Sequence, residues 1–193
     1  MQNYDIYKQA RNTAWNFLID NGVSELPVNL LSICKNNGYR VFLDSKYIFL
    51  GSENRGATFI KNGQWHIILN ASDSLPVQRY SLAHELGHIY LNHKLYDGKY
   101  GRSFGIQSIL QAPEEYQAER FAIDILAPAC VLWGLGLHSA EDIAKICNIS
   151  ATSAQRRAER MEILYGRNMF LSHPLERQVF NQFKDFISRN KLE

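Results

Sequence analysis

"RYSLAHELGHIYLNHK", residues 79–94, carries three of the chain's six histidines and one glutamate inside an otherwise apolar run. Leu82, Leu86, Ile89 and Tyr90 recur at helical spacing, so the stretch predicts a helix despite Gly87, whose missing side chain permits close packing. His84 and His88 then lie about 40° apart around the axis and one turn apart along it, so both reach the same ion. Core histidines satisfy so short a pattern too, and a further ligand elsewhere in the chain is what separates the two readings.

His84, Glu85 and His88 form HExxH, in which two neutral imidazoles bind zinc and the glutamate acts on water. A catalytic zinc takes a third protein ligand and keeps one position open. The metzincin register needs a glycine three residues, and a histidine six residues, after the second histidine. Leu91 and Lys94 stand there. His93 is one residue out of that register and is expected in a surface or loop position, pointing elsewhere.

The third ligand is instead expected from "PEEYQAERFAIDILA", a helix predicted to start at Pro113 with acids in its first turn. It offers Glu114, Glu115 and Glu119. Glu115 and Glu119 share a face. That spacing suits Glu115 on the metal and Glu119, one turn on, accepting a proton from the other nitrogen of a ligand imidazole. Glu114 reads as a solvated acid favoured by the helix dipole.

Upstream, residues 4–20 repeat apolar residues at helical spacing and stop at Asn21-Gly22. A second helix, "VNLLSICKNN", ends at Gly38, and "YRVFL" follows as a strand. "GATFIKNGQWHIIL", residues 56–69, is two β-prone runs around Asn62-Gly63 and predicts a hairpin. This hairpin is expected to offer an edge strand for an extended peptide, which requires that the 65–69 strand be neither central nor capped. Residues 96–112, with three glycines, predict a loop bordering a cleft.

With 193 residues, 46% hydrophobic, the chain can bury a core without staples. A formal charge of +2 gives no broad pull toward nucleic acid or an anionic membrane. Cys34, Cys130 and Cys147 lack CxxC spacing and read as buried thiols in a reducing compartment. With no signal-like N-terminus and no run of about 18 apolar residues, the expectation is a soluble cytoplasmic protein without a membrane partner.

"RYSLAHELGHIYLNH" followed by "EEYQAERFAIDILAP" resembles the ImmA/IrrE family of metallo-endopeptidases. Glu115, Ala118, Phe121, Ala122, Leu126 and Pro128 match that family's second motif in place. The chain departs from it at Glu119, where the family usually has Asn or Asp, and at Gln117, where it often has another acid; the second departure favours Glu115 as ligand. The resemblance implies an α+β, zincin-like fold and a gluzincin-like site, with Zn2+ held by His84, His88 and Glu115 and with Glu85 as general base. It also implies a protein substrate, a helix-turn-helix repressor encoded by the same phage or integrative element. An oxyanion partner is expected among His138, Tyr165 and His173.

The chain is expected to divide into a peptidase domain, 1–135, and a helical, helix-turn-helix-like subdomain, 136–193. In "AEDIAKICNISATSAQRRAER", Ala144, the turn at Asn148 to Ser150, and Ala154 fit that motif, and Gln155, Arg156, Arg157 and Arg160 lie on the second helix. Glu159 and Glu162 interrupt the arginines, so DNA binding is the weaker expectation and a packing module the stronger. "LERQVFNQFKDFISRN" predicts one last helix whose apolar stripe packs in the core. The expected function is zinc-dependent cleavage of a repressor; the alternative is a non-catalytic DNA-binding regulator that keeps the peptidase fold. The oligomeric state is left open.

Overall fold

The computed structural model describes residues 2–46, 48–50, 54–94, 99–100 and 106–191, with the backbone alone at 2–4, 99–100 and 106–112. The expected helix, helix, strand and hairpin are α1 (Gln2–Asp20), α2 (Leu30–Asn36), β1 (Arg40–Asp44), β2 (Gly56–Lys61) and β3 (Gln64–Asn70). Local chemistry accounts for their ends. Gly22 takes φ +61° after α1, and the Asn29 side chain accepts the Ser32 N–H at the start of α2. Asn62 and Gly63, at φ +53° and +72°, make the tight hairpin turn.

The chain divides into two compact units, residues 1–10 with 29–122, and 11–28 with 123–193. This packing division falls elsewhere than the 135/136 boundary expected from the sequence. It cuts inside α1 and inside α4 (Ile106–Leu126), because helix periodicity continues across both points and gives no sign of a change of partner.

The first unit is built on a sheet of order β1-β3-β2-β4, where β4 is Lys99–Tyr100. β1 runs parallel to β3, with Val41 opposite Ile67, and β2 runs antiparallel to β3, with Thr58 opposite Ile67. The 65–69 strand is therefore central, with Ile67, Ile68 and Leu69 buried. The expectation that the hairpin offers a free edge is overturned: strands flank β3 on both sides, and β4 further pairs with β2 at Thr58 and Phe59. At the end of β1, the Asp44 carboxylate accepts backbone N–H groups from Lys46, Ile48, Phe49 and Leu50, shaping the turn that leaves the sheet.

The motif stretch forms α3 (Leu75–Tyr90). Gln78 on its first turns donates to the carbonyls of Asn70, Ala71 and Asp73, tying the helix to the loop that follows β3. α4 starts at Ile106, earlier than expected, and holds Pro113 inside it. Proline's fixed φ is helical, so it removes one hydrogen bond without forcing a start, and the residues before it are good helix formers. The expected 96–112 loop is thus helical from Ile106, while its 96–98 and 101–105 parts lie outside the described residues. A Cβ on Gly87 would stand 3.0 Å from Ala118 Cα and 3.2 Å from Phe121 Cδ1, so the glycine does permit the close approach of α3 to α4.

The second unit contains α5 (Ala129–Leu135), α6 (Ala140–Cys147), α7 (Ala151–Arg167), α8 (Pro174–Gln182) and α9 (Lys184–Asn190). α5 was not legible in the sequence, because Cys130, Val131, Leu132 and Leu135 are all buried and a short apolar run carries no amphipathic signal. The expected single last helix is two, broken at Phe183 (φ −92°, ψ 4°), which is itself buried. Asn148, left-handed at φ +50°, and Ser150, whose side chain accepts the Ser153 N–H, make the expected turn between α6 and α7. Arg157, however, is not at the surface: it is buried in an ion pair with Asp124 at 3.2 Å. Cys34, Cys130 and Cys147 are buried and form no disulfide, as expected. Among the described residues no helix is long and apolar enough to cross a membrane.

Candidate metal centre

One turn of α3 sets His84 and His88 on a common face, and the close approach of α4 at Gly87 brings Glu115 opposite them. The two Nε2 atoms lie 3.1 Å apart, His84 Nε2 lies 3.3 Å from Glu115 Oε2, and His88 Nε2 lies 3.5 Å from Glu115 Oε1. Zinc bonds of about 2.0–2.2 Å at a tetrahedral angle place ligand atoms about 3.3–3.6 Å from one another. The triangle therefore has the size one such ion requires, and two imidazoles with a carboxylate are a donor set that zinc accepts. Among the described residues it is the one cluster of this kind.

The site opens on a cleft of about 410 Å³, lined also by Asn54, Arg55, Gly56, Tyr80, Ser81, Glu85 and Glu119. Glu85 is buried, and its Oε2 accepts the Thr58 hydroxyl at 2.6 Å. Burial pushes this carboxyl up to about 7; the charge of His84 and the Thr58 hydrogen bond oppose the shift, and Glu115 adds to it. A Cβ on Gly56 would stand 3.0 Å from Glu85 Oε1, so that glycine makes room for the acid. Burial, together with the charge of His84, brings His88 down to about 3, the neutral form a metal ligand needs. Burial also disfavours charge on His84, but its hydrogen bond to Glu115 and the neighbouring glutamates outweigh that and raise it.

Glu119 lines the same cleft and contributes charge to His84. Burial holds His93 below the ordinary histidine value, and the charge of Glu114 works against that shift. His93 corrects the sequence reading. It is buried rather than superficial, with its Nδ1 2.9 Å from His88 Nδ1 and its Nε2 3.2 Å from Gln117 Oε1. Two residues past the end of α3 the chain turns, with Asn92 at φ +55°, and this turn returns His93 toward the helix it has just left. Helical extrapolation past residue 90 could not place it. Thr58 was also missed: between the apolar Ala57 and Phe59, strand alternation puts a threonine on the solvent face, whereas here it is buried.

The three oxyanion candidates take partners in the second unit. His138 stacks on Tyr165 at 4.3 Å between ring centroids, Tyr165 donates to the Leu137 carbonyl, and His173 accepts the Leu175 N–H at the start of α8.

No curated protein matches the sequence. Residues 34–159, well over half of the chain, match the IrrE N-terminal-like domain of the Peptidase_M78 family, and the match contains the strands, the HExxH helix and Glu115. An α+β fold with a His-His-Glu cluster at its cleft and a matching stretch of that length place this chain in the IrrE N-terminal-like Peptidase_M78 family.

Proposed function

We propose that the chain is a zinc-dependent endopeptidase that cuts a DNA-binding repressor at one site, and so regulates a phage, a mobile element or a stress response. The observation that supports this reading is the convergence of His84, His88 and Glu115 at the spacing of a single tetrahedral ion, with Glu85 buried beside them on the same cleft. Zinc, when bound, supplies Lewis acidity toward a water and the scissile carbonyl.

The chain's own residues do the rest. Glu85, with an affinity for protons near neutrality, accepts one from the attacking water and returns it to the departing amine. Thr58 holds one of its carboxylate oxygens, and the missing side chain at Gly56 leaves space around the other. Of the residues on the cleft, Tyr80 and Arg55 carry donors of the kind that stabilise an oxyanion. The repressor substrate rests on the resemblance to ImmA/IrrE proteins.

The test is co-expression of the chain, or of Glu85→Gln, with the repressor encoded beside it. The repressor is expected to be cut by the first and left whole by the second. Cutting by both, or by neither, overturns the assignment.

A further inference from the structure

Four polar side chains stand in line behind the metal-holding face: His88, His93, Gln117 and Gln9. Their contacts are 2.9 Å from His88 Nδ1 to His93 Nδ1, 3.2 Å from His93 Nε2 to Gln117 Oε1, and 3.1 Å from Gln117 Nε2 to Gln9 Oε1. His88, His93 and Gln117 are buried, and Gln9 lies at the exposed end of the line.

A histidine that offers the lone pair of Nε2 to a metal must carry its proton on Nδ1. His88 Nδ1–H then donates to His93 Nδ1. His93, accepting there, must carry its own proton on Nε2, where it donates to the Gln117 carbonyl oxygen. The Gln117 amide N–H in turn donates to Gln9. Each step leaves one orientation for the next, so the line has a single direction from the ligand outward.

We infer that His93 is the positioning residue of the metal centre: with Gln117 and Gln9 it selects the tautomer of His88 that binds the ion, and holds its ring in place. The inference rests on His84, His88 and Glu115 being the ligands. Such groups typically change metal affinity by about 10- to 100-fold.

The test uses the full chain and zinc alone. Zinc affinity, measured by competition with a chelating dye, is compared among wild type, His93→Phe, Gln117→Met and Gln117→Glu, with folding checked by circular dichroism. His93→Phe is expected to lose about 10- to 100-fold and Gln117→Met a smaller part of that. Gln117→Glu, which keeps an acceptor for His93 Nε2–H, is expected to stay near wild type. In zinc-loaded wild type, nitrogen-15 NMR of the imidazoles is expected to show His88 protonated on Nδ1 and His93 on Nε2.

Wild type that takes no zinc overturns the ligand reading, and this inference with it. Zinc binding by wild type, with folded His93→Phe within twofold of it, overturns the inference alone. So does a His93 that carries its proton on Nδ1, and this last readout needs no variant to fold.

Discussion

Each unit of the molecule buries a charged cluster, and the two clusters do different things. In the first unit His84, His88 and Glu115 crowd their lone pairs toward one point on a cleft that Glu85 also lines. In the second, Arg157 and Asp124 meet at 3.2 Å with side chains 1% and 5% exposed. The arginine is a cation already opposed by an anion, with no lone pairs to offer. Burial of charge is thus common to both; what sets the first apart is that its donor atoms converge on a shared space open to a cleft.

The sharpest way to break this comparison is to remove one acid from each cluster. Glu85→Gln is expected to lower peptidase activity by about 10²- to 10⁴-fold, with zinc content and thermal stability retained. Asp124→Ala is expected to act in reverse, leaving a buried unpaired guanidinium and costing about 3–5 kcal/mol in denaturant unfolding. Replacing both partners, as Asp124→Leu with Arg157→Met, should recover most of that loss. If the double variant is no better than the single one, the pair does more than pack.

A smaller effect is expected at Gly87. Gly87→Ala forces α3 away from α4, where a Cβ meets the Ala118 backbone at 3.0–3.1 Å, and should cost about 1–3 kcal/mol. Because Glu115 approaches the histidines across the same contact, zinc affinity should fall with stability; an unchanged affinity would show that the cleft does not depend on this spacing. Thr58→Val removes the hydroxyl on Glu85 while keeping shape, and should lower kcat/KM about tenfold, the equivalent of about 1.4 kcal/mol.

The smallest effect lies away from both clusters. Burial disfavours the Asp44 charge, but the N–H groups of Phe49, Leu50, Ile48 and Lys46 outweigh it and hold the carboxyl below its usual range. An acid depressed in the folded state binds protons more readily when unfolded. Its contribution is therefore complete above the unfolded value, about 3.9, and is lost as pH falls through the folded one. Unfolding followed between pH 5 and 2 should show a shallower acid loss for Asp44→Asn than for wild type.

Legibility in the sequence followed the range of the interaction. The left-handed residues at Gly22, Asn62 and Gly63, the HExxH helix and the acid-bearing helix at Glu115 were all readable, since each depends on neighbours within about one turn. Pro113 misled because its cost in a helix is a penalty rather than a prohibition. Phe183, itself buried, marks the break between α8 and α9 where the sequence has no glycine or proline to signal it.

The sequence by itself determined the chemistry at the site: two imidazoles and a glutamate at helical spacing, with a second glutamate about thirty residues on. Tertiary structure alone decided which side chains serve those groups. Thr58 reaches Glu85 from a strand 27 positions earlier, Gln9 reaches Gln117 across 108 positions, and Asp124 takes Arg157 away from the surface. A hydrogen bond or ion pair requires two groups within about 3 Å, and for residues so far apart along the chain only the folded backbone sets that distance.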